Sequence, residues 1–165
     1  MNASRVDRFV VVPAAYLYLL RPSPDSDGTE VLLQQRGPGV PFMAGHWAAA
    51  AAGHVEQGET AYVAVAREAV EELGLHGIEV EFLTSMHRTA GGEAIDERID
   101  FFFTARAWDG EPEIQEPDKA SALGWFALDA LPEPMVPHEA HVLGLLRAAL
   151  DGSGAAVAPY VTHGF

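Results

Sequence analysis

Residues 53–75 read Gly-His-Val-Glu-Gln-Gly-Glu-Thr-Ala-Tyr-Val-Ala-Val-Ala-Arg-Glu-Ala-Val-Glu-Glu-Leu-Gly-Leu. The second part of this stretch predicts a helix over residues 60–73, because Gly74 suits the left-handed residue that ends a helix. At about 100° per residue, three glutamates share one face of that helix and apolar side chains occupy the opposite face. The three glutamates are Glu68, Glu71 and Glu72.

A glutamate-rich face has two interpretations. It is either a solvated surface of an acidic protein or a binding site for a cation. Three carboxylates on one helical turn repel one another and destabilise the helix unless a cation gathers them. Carboxylate oxygens are the ligands that hard divalent cations prefer, so the cluster is more naturally a metal site. Arg67 lies four residues before Glu71, which is close enough to pair with it and orient it.

The longer spacing decides between these interpretations. Gly53 is followed after five residues by Glu59, and after seven more by Arg67-Glu68-Ala69-Val70-Glu71-Glu72-Leu73-Gly74-Leu75. This string resembles the Nudix box at every fixed position. Ala69 is a mild departure, because the family usually carries a larger aliphatic residue there. Residues 48–52 are a run of alanines, where many family members have a Pro-Gly pair.

The resemblance implies a hydrolase that uses Mg²⁺ or Mn²⁺ to cleave the pyrophosphate linkage of a nucleoside diphosphate joined to another group. Nucleoside triphosphates and ADP-ribose are examples, and the product is a nucleoside monophosphate or a phosphorylated fragment. One alternative is a Nudix-like module that senses a nucleotide without hydrolysing it. Another is an isomerase of isoprenoid diphosphates, whose site is built partly on cysteine. Every charged box position is present and the chain has no cysteine, so the hydrolase is favoured.

The resemblance also assigns roles to individual residues. The helix glutamates would bind the metal together with the carbonyl of Gly53, Arg67 would orient the carboxylates, and Glu59 would assist from the loop. The family commonly draws one more carboxylate from a distant loop, for which Glu116 is the candidate. The general base differs among family members, and Glu68 ranks ahead of Glu59 and Glu116. The implied metal ligands are Gly53, Glu68, Glu71, Glu72 and Glu116, and the implied catalytic residues are Glu59, Arg67, Glu68 and Glu72.

Substrate contacts are predicted outside the box. Arg36 ends a predicted strand beside a Gly-rich loop and Arg88 ends another, so both guanidinium groups could reach phosphates. Phe42 or Tyr16 could stack on a base. His87, next to Arg88 at a strand end, is the histidine best placed to act. The predicted substrate-binding residues are Arg36, Arg88, Phe42 and His87.

Composition limits the partners. Ten basic and 24 acidic residues give a net charge of −14, and there is no basic stripe to bind a nucleic-acid backbone. A small-molecule nucleotide is the expected partner, because divalent cations can bridge it to an acidic protein. No segment has the length of a signal peptide or a membrane span, so the expected compartment is the cytoplasm and no membrane partner is expected. A monomer and a homodimer are both compatible with the sequence.

The fold class predicted by the whole pattern is α/β, a Nudix-type α/β/α sandwich with a mixed β-sheet between helices. Residues 1–150 are predicted to form a single domain, since 165 residues with 48% hydrophobic content can bury one core. Residues 151–165 are Gly- and Ala-rich and predict a mobile C-terminal tail. On the second helix, His138 and His141 lie three apart, but no third zinc ligand is apparent. The predicted strands cover residues 9–20, 29–36, 47–52, 78–88, 98–108 and 121–128, and the second helix covers residues 137–150.

Overall fold

The computed structural model describes residues 9–165. It contains eight strands in one mixed sheet and two helices, as expected for the predicted α/β/α sandwich. A short 3₁₀ turn, Ala94–Asp96, lies between two of the strands. The strands are β1 (Val12–Pro22), β2 (Thr29–Arg36), β3 (Trp47–Ala49), β4 (Ala51–His54), β5 (Val80–Arg88), β6 (Arg98–Ala105), β7 (Ala120–Ala127) and β8 (Tyr160–His163), and the helices are α1 (Ala61–Leu73) and α2 (Pro137–Leu150).

Strand β1 organises the sheet, whose order is β3-β2-β1-β6-β5-β8. On one edge β1 pairs in parallel with β6. On its other edge it pairs with β4 near its start and with β2 near its end, which confirms the predicted β1–β2 hairpin. The alanine-rich stretch predicted as one strand is divided at Ala50, because β3 pairs with β2 whereas β4 pairs with β1.

Successive side chains of the strands point to opposite faces of the sheet and pack into two separate hydrophobic cores. Tyr16, Tyr18 and Phe102 pack with α2 on one face. Leu17 and Phe103 pack with α1 on the other face. The helices therefore lie on opposite sides of the sheet. The prediction that the Phe101–Phe103 run forms a central strand covered on both faces is confirmed.

Both helices begin or end at local signals. Thr60 caps α1, and its hydroxyl oxygen accepts a hydrogen bond from the N–H of Val63 at 3.3 Å. Gly74 ends α1 in the left-handed conformation with φ 70°. Pro137 occupies the first turn of α2. Neither helix in the described part of the chain is long and apolar enough to cross a membrane.

The end of the chain differs from the predicted mobile tail. Strand β8 pairs in parallel with β5, with Ser85 opposite Tyr160 and Arg88 opposite His163. Just before β8, the hydroxyl of Thr84 donates a hydrogen bond to the carbonyl of Ala158 at 2.7 Å. The pairing joins segments about 75 residues apart, so the local composition of the tail carries no signal for it. That residues 1–150 form a single domain remains a prediction.

Candidate active site

A cavity of about 620 Å³ is bounded by α1, α2 and the strands between them. Six of the predicted site residues line this cavity, including two of the glutamates of α1. The charged groups are evenly divided, with four basic and four acidic side chains. The predicted residues that line the cavity are Gly53, Glu68, Glu72, Arg36, Arg88 and Phe42. The basic side chains are Arg36, Arg88, Arg98 and Lys119, and the acidic ones are Glu68, Glu72, Asp96 and Glu139.

Arg67 lies behind this wall and contacts three of the box carboxylates. Its Nη2 donates to Glu59 Oε1 at 2.8 Å, and its Nη1 donates to Glu68 Oε1 at 2.7 Å and to Glu71 Oε2 at 3.0 Å. Nη2 also donates to the carbonyl of His54 at 3.0 Å, which ties α1 to the end of β4. The hydrogen bonds from Arg67 lower the pKa of Glu59, and the same pairing raises the pKa of Arg67. A planar guanidinium with five donors can hold three carboxylates at once.

The carboxyl group of Glu68 packs directly against the backbone of Gly53. A Cβ at residue 53 would overlap the carboxyl atoms of Glu68, so any other residue there would displace the end of this side chain. Glu68 is largely buried, and burial raises its pKa while Arg67 opposes that shift. Gly53 therefore provides a space in which the carboxylate is held against β4.

The backbone of β4 faces two directions in alternation. The N–H of Val55 donates to the carbonyl of Pro13 at 3.0 Å, and pairs two residues apart in an antiparallel ladder repeat this bonding. Gly53 thus directs its N–H and carbonyl toward β1. Ala52 directs its backbone the other way, and its N–H donates to Glu72 Oε2 at 2.9 Å. The geometry does not favour the predicted Gly53 carbonyl ligand, because the backbone edge that faces the glutamates belongs to Ala52.

Glu116 lies outside the cavity lining but close enough to affect the pKa of Glu72. Burial raises the pKa of Glu72 to about 7, and the negative charges of Glu68 and Glu116 add to that effect. The hydrogen bond from Ala52 acts in the opposite direction. Glu116 itself pairs with Lys119, whose ammonium lies 2.9 Å from the Glu116 carboxylate. The distant-loop carboxylate predicted from sequence is therefore within electrostatic reach of Glu72.

These carboxylates fit a hard divalent cation by their chemistry. Within residues 9–165, no three Asp, Glu or His side chains converge into a complete metal cluster. Arg67 instead holds Glu68 and Glu71 in ion pairs, while Glu72 is bonded to the backbone of β4. Burial is the main cause of the raised pKa of Glu72, and the negative charges of Glu68 and Glu116 add a smaller contribution that a cation would relieve. Because Gly53 has no side chain, the Glu68 carboxylate can lie on the same cavity wall as Glu72.

Three of the four predicted substrate-binding residues line the cavity, and the fourth does not. Arg36 Nε donates to the carbonyl of Phe42 at 2.7 Å, and the guanidinium lies 5.7 Å from the Phe42 ring centre. Both residues line the cavity, as does Arg88. His87 does not reach it, because its ring packs against Phe165 with the ring centroids 4.7 Å apart.

Sequence reasoning missed the charged residues on the α2 side of the cavity. Arg88 Nε donates to Asp100 Oδ2 at 2.8 Å, and Asp100 is fully buried. His138, set aside as incidental, lines the cavity, and burial and the charge of Arg88 lower its pKa to about 2. Glu139 is also buried there, and burial raises its pKa to about 7. The available signal was Arg98 and Asp100, two apart on one face of an otherwise apolar strand.

Comparisons with known proteins agree with this architecture. The family model described as "NUDIX domain" matches residues 13–146. The crystal structure of a MutT NUDIX hydrolase from Burkholderia pseudomallei is 32% identical, covers 82% of this chain and 97% of that chain, and superposes with a TM-score of 0.70. The crystal structure of RenU, a Nudix hydrolase from M. smegmatis, is 25% identical, covers 86% of this chain and 87% of that chain, and has a TM-score of 0.62.

A third solved structure shares the fold at lower identity. The NUDIX domain of Shewanella oneidensis NrtR, complexed with ADP ribose, is 20% identical, covers 90% of this chain and 94% of that chain, and has a TM-score of 0.69. A comparison with curated proteins found no match. Because the family model spans most of the chain and the B. pseudomallei hydrolase shares nearly a third of its residues, this chain belongs to the Nudix family.

Proposed function

We propose that this protein is a divalent-metal-dependent hydrolase that cleaves the pyrophosphate linkage of a nucleoside diphosphate joined to another group. The reaction releases a nucleoside monophosphate or a phosphorylated fragment. Membership of the Nudix family supports an enzyme that acts on pyrophosphate bonds. The observation that carries the proposal is one cavity with Glu68 and Glu72 on one wall and Arg36 and Arg88 on the others. Carboxylates suit a divalent cation and guanidinium groups suit phosphate oxygens.

The glutamates of α1 are the residues that would hold Mg²⁺ or Mn²⁺. Glu68, Glu71 and Glu72 supply carboxylates, Glu116 adds one from the opposite loop, and the Ala52 carbonyl is the backbone oxygen on their side. When bound, the metal neutralises charge on the diphosphate and lowers the pKa of a coordinated water.

The chain's own side chains position and deprotonate the attacking water. Arg67 binds Oε1 of Glu68 and fixes the direction of the carboxylate. The other oxygen, Oε2, is the atom proposed to accept a proton from the water, which makes Glu68 the general base. Both carboxylate oxygens of Glu59 accept hydrogen bonds from Arg67, and both oxygens of Glu116 lie 2.9 Å from the Lys119 ammonium, whereas Arg67 bonds only one oxygen of Glu68.

Residues on the other walls of the cavity are proposed to bind the rest of the substrate. Arg36 and Arg88 are proposed to contact phosphate oxygens, and the partly exposed ring of Phe42 is proposed to stack on the base. The bond from Arg36 Nε to the Phe42 carbonyl couples these two contacts. His87 has no part in this arrangement because it packs on the opposite side against Phe165.

A nucleotide panel with Mg²⁺ tests the proposal. Wild-type protein is incubated with ATP, the four dNTPs and ADP-ribose, and products are separated by ion-exchange chromatography. Glu72→Gln should reduce turnover at least about a thousandfold without changing the circular dichroism spectrum, because it removes a negatively charged metal ligand while the side-chain volume stays nearly constant. The control is Glu79→Gln, an exposed carboxyl outside α1. A near-normal rate for Glu72→Gln would contradict the proposal, and binding without products would favour the non-hydrolytic sensing module.

A further inference from the structure

Three charged side chains meet at the end of the cavity that faces α2. Arg88 of β5 and Arg98 of β6 are directly opposite in the antiparallel ladder, and Asp100 lies two residues further along β6. Arg88 Nε donates to Asp100 Oδ2 at 2.8 Å, and Arg98 Nε lies 3.6 Å from Asp100 Oδ1. Asp100 is inaccessible to solvent, and each arginine side chain is only 11% exposed. Two guanidinium groups therefore share one buried carboxylate.

The charges in this group do not balance. Both arginines remain protonated at any physiological pH, so the trio carries one excess positive charge. His138, 4.0 Å from Asp100 Oδ2, adds no negative charge. Among the described residues, Arg98 Nε, Asp100 Oδ1 and His138 Nε2 are buried without a hydrogen-bond partner. Buried charges in folded proteins are normally paired, so the group lacks an anion.

Neighbouring carboxyls do not supply that anion. Glu139 accepts a hydrogen bond from the N–H of Ala49, and Asp96 accepts one from the N–H of Glu93. Both acids line the same cavity, and within the described residues neither forms an ion pair with Arg88 or Arg98, whose only carboxylate partner there is Asp100.

Both arginines have donors to spare and face the cavity. Arg98 Nη1 lies 3.1 Å from Nε2 of His54 and 3.4 Å from the carbonyl of Ile95, while Arg88 uses Nε for Asp100. A guanidinium carries five N–H donors in a fixed fork, so these contacts use only part of the set. The fork matches the oxygens of a phosphate group.

We propose that Arg88 and Arg98 form a subsite for a second phosphate of the substrate, one that lies beyond the linkage under attack. Asp100 is a positioning residue that holds the two guanidinium groups side by side. The subsite selects nucleotides that keep a terminal phosphate, such as nucleoside triphosphates, over those that end in a neutral sugar, such as ADP-ribose. This selection rests on the proposed hydrolase function, whereas anion binding by the two arginines does not.

Binding of inorganic pyrophosphate tests the subsite without catalysis. Isothermal titration calorimetry in EDTA compares wild type, Arg98→Gln and the control Arg106→Gln, whose exposed side chain lies just beyond the far end of β6. Wild type and Arg106→Gln should bind equally, and Arg98→Gln should bind at least about tenfold more weakly, since a charge-assisted hydrogen bond is lost. Failure of wild type to bind, or equal affinity in Arg98→Gln, would overturn the subsite. If Arg98→Gln does not fold, Arg88→Gln replaces it with the same two outcomes.

Steady-state kinetics then tests the selection among substrates. Arg98→Gln should raise KM for ATP at least about tenfold, with kcat nearly unchanged, and should alter kcat/KM for ADP-ribose less than about threefold. An equal loss on both substrates would assign Arg98 a general structural role and overturn the selectivity. If wild type hydrolyses no nucleotide of the panel, the proposed function fails, while the pyrophosphate titration still decides whether the arginines bind an anion.

Discussion

The carboxyl group of Glu68 fills the space that a Cβ at residue 53 would occupy, so the end of this side chain lies against strand β4 because Gly53 has no Cβ. From the other side, Arg67 holds the same carboxyl at 2.7 Å. The position of the Glu68 carboxyl thus depends on the absence of a side chain at Gly53, fifteen residues earlier in the box. Gly53 is needed here because it has no side chain. Its backbone is not left-handed, since Gly53 is not among the glycines with positive φ.

Gly53→Ala should therefore lower kcat at least about tenfold, because the new methyl group displaces the Glu68 carboxylate from its position on the wall. The matched control is Gly144→Ala on α2, where a Cβ would meet no atom within 4 Å. That control should keep full activity and stabilise the protein by about 1 kcal/mol, because alanine is the better helix former. Steady-state rates and urea unfolding of both variants check the pair. Full activity in Gly53→Ala would show that the carboxylate adjusts freely.

Arg67→Lys should reduce kcat at least about tenfold although the charge is kept. One ammonium group cannot reproduce the planar fork that bonds Glu59, Glu68 and Glu71 together. The control is Arg147→Lys, an exposed conservative change on α2. The measurement is the rate on the best substrate of the panel at saturating Mg²⁺. If the lysine variant matched wild type, orientation of the carboxylates would not depend on Arg67.

Glu139 should make stability depend on pH. Burial raises its pKa from 4.5 to about 7, assisted by Asp100 and opposed by the Ala49 hydrogen bond and by Arg36 and Arg88. The folded protein thus keeps this proton to a higher pH than the unfolded chain does. The contribution of Glu139 to the free energy of unfolding is full below pH 4.5 and falls as pH rises toward 7.

Glu139→Gln should remove that loss because its side chain is neutral at every pH. Relative to wild type, the variant should gain up to about 3 kcal/mol in free energy of unfolding between pH 4.5 and pH 8. Urea unfolding of both proteins at the two pH values measures the gain. A difference that is the same at both pH values would mean that folding does not shift the pKa of Glu139.

Much of the fold follows from local sequence signals. Thr60, Gly74 and Pro137 each mark a helix boundary through backbone chemistry that involves only nearby residues. The predicted bounds of β2 and α2 agree with the structure, and α1 agrees to within one residue, for the same reason. The carboxylate wall was also predictable, because helical periodicity alone places Glu68 and Glu72 on one face.

The α2 side of the cavity was not predictable in the same way. Asp100 and Glu139 are buried charges whose partners come from other strands or from the backbone of β3. Nothing in a single sequence states which acidic residue among 24 will be covered by the fold. His138 was discounted because no third zinc ligand was apparent beside His138 and His141, yet its place in the cavity depends on how α2 packs on the sheet. These are tertiary properties, and they require the strand order.

Strand β8 has a consequence for the behaviour of the protein in solution. Without it, the nine-residue strand β5 would present an open row of N–H and carbonyl groups at the border of the sheet. Such a border is a template on which a second chain can add a strand, and short outer strands are one way in which proteins prevent this. The four residues of β8 pair with Ser85–Arg88 and so shorten the open border of β5 to its first half. The C-terminal segment thereby reduces the length of β5 to which another chain could add a strand.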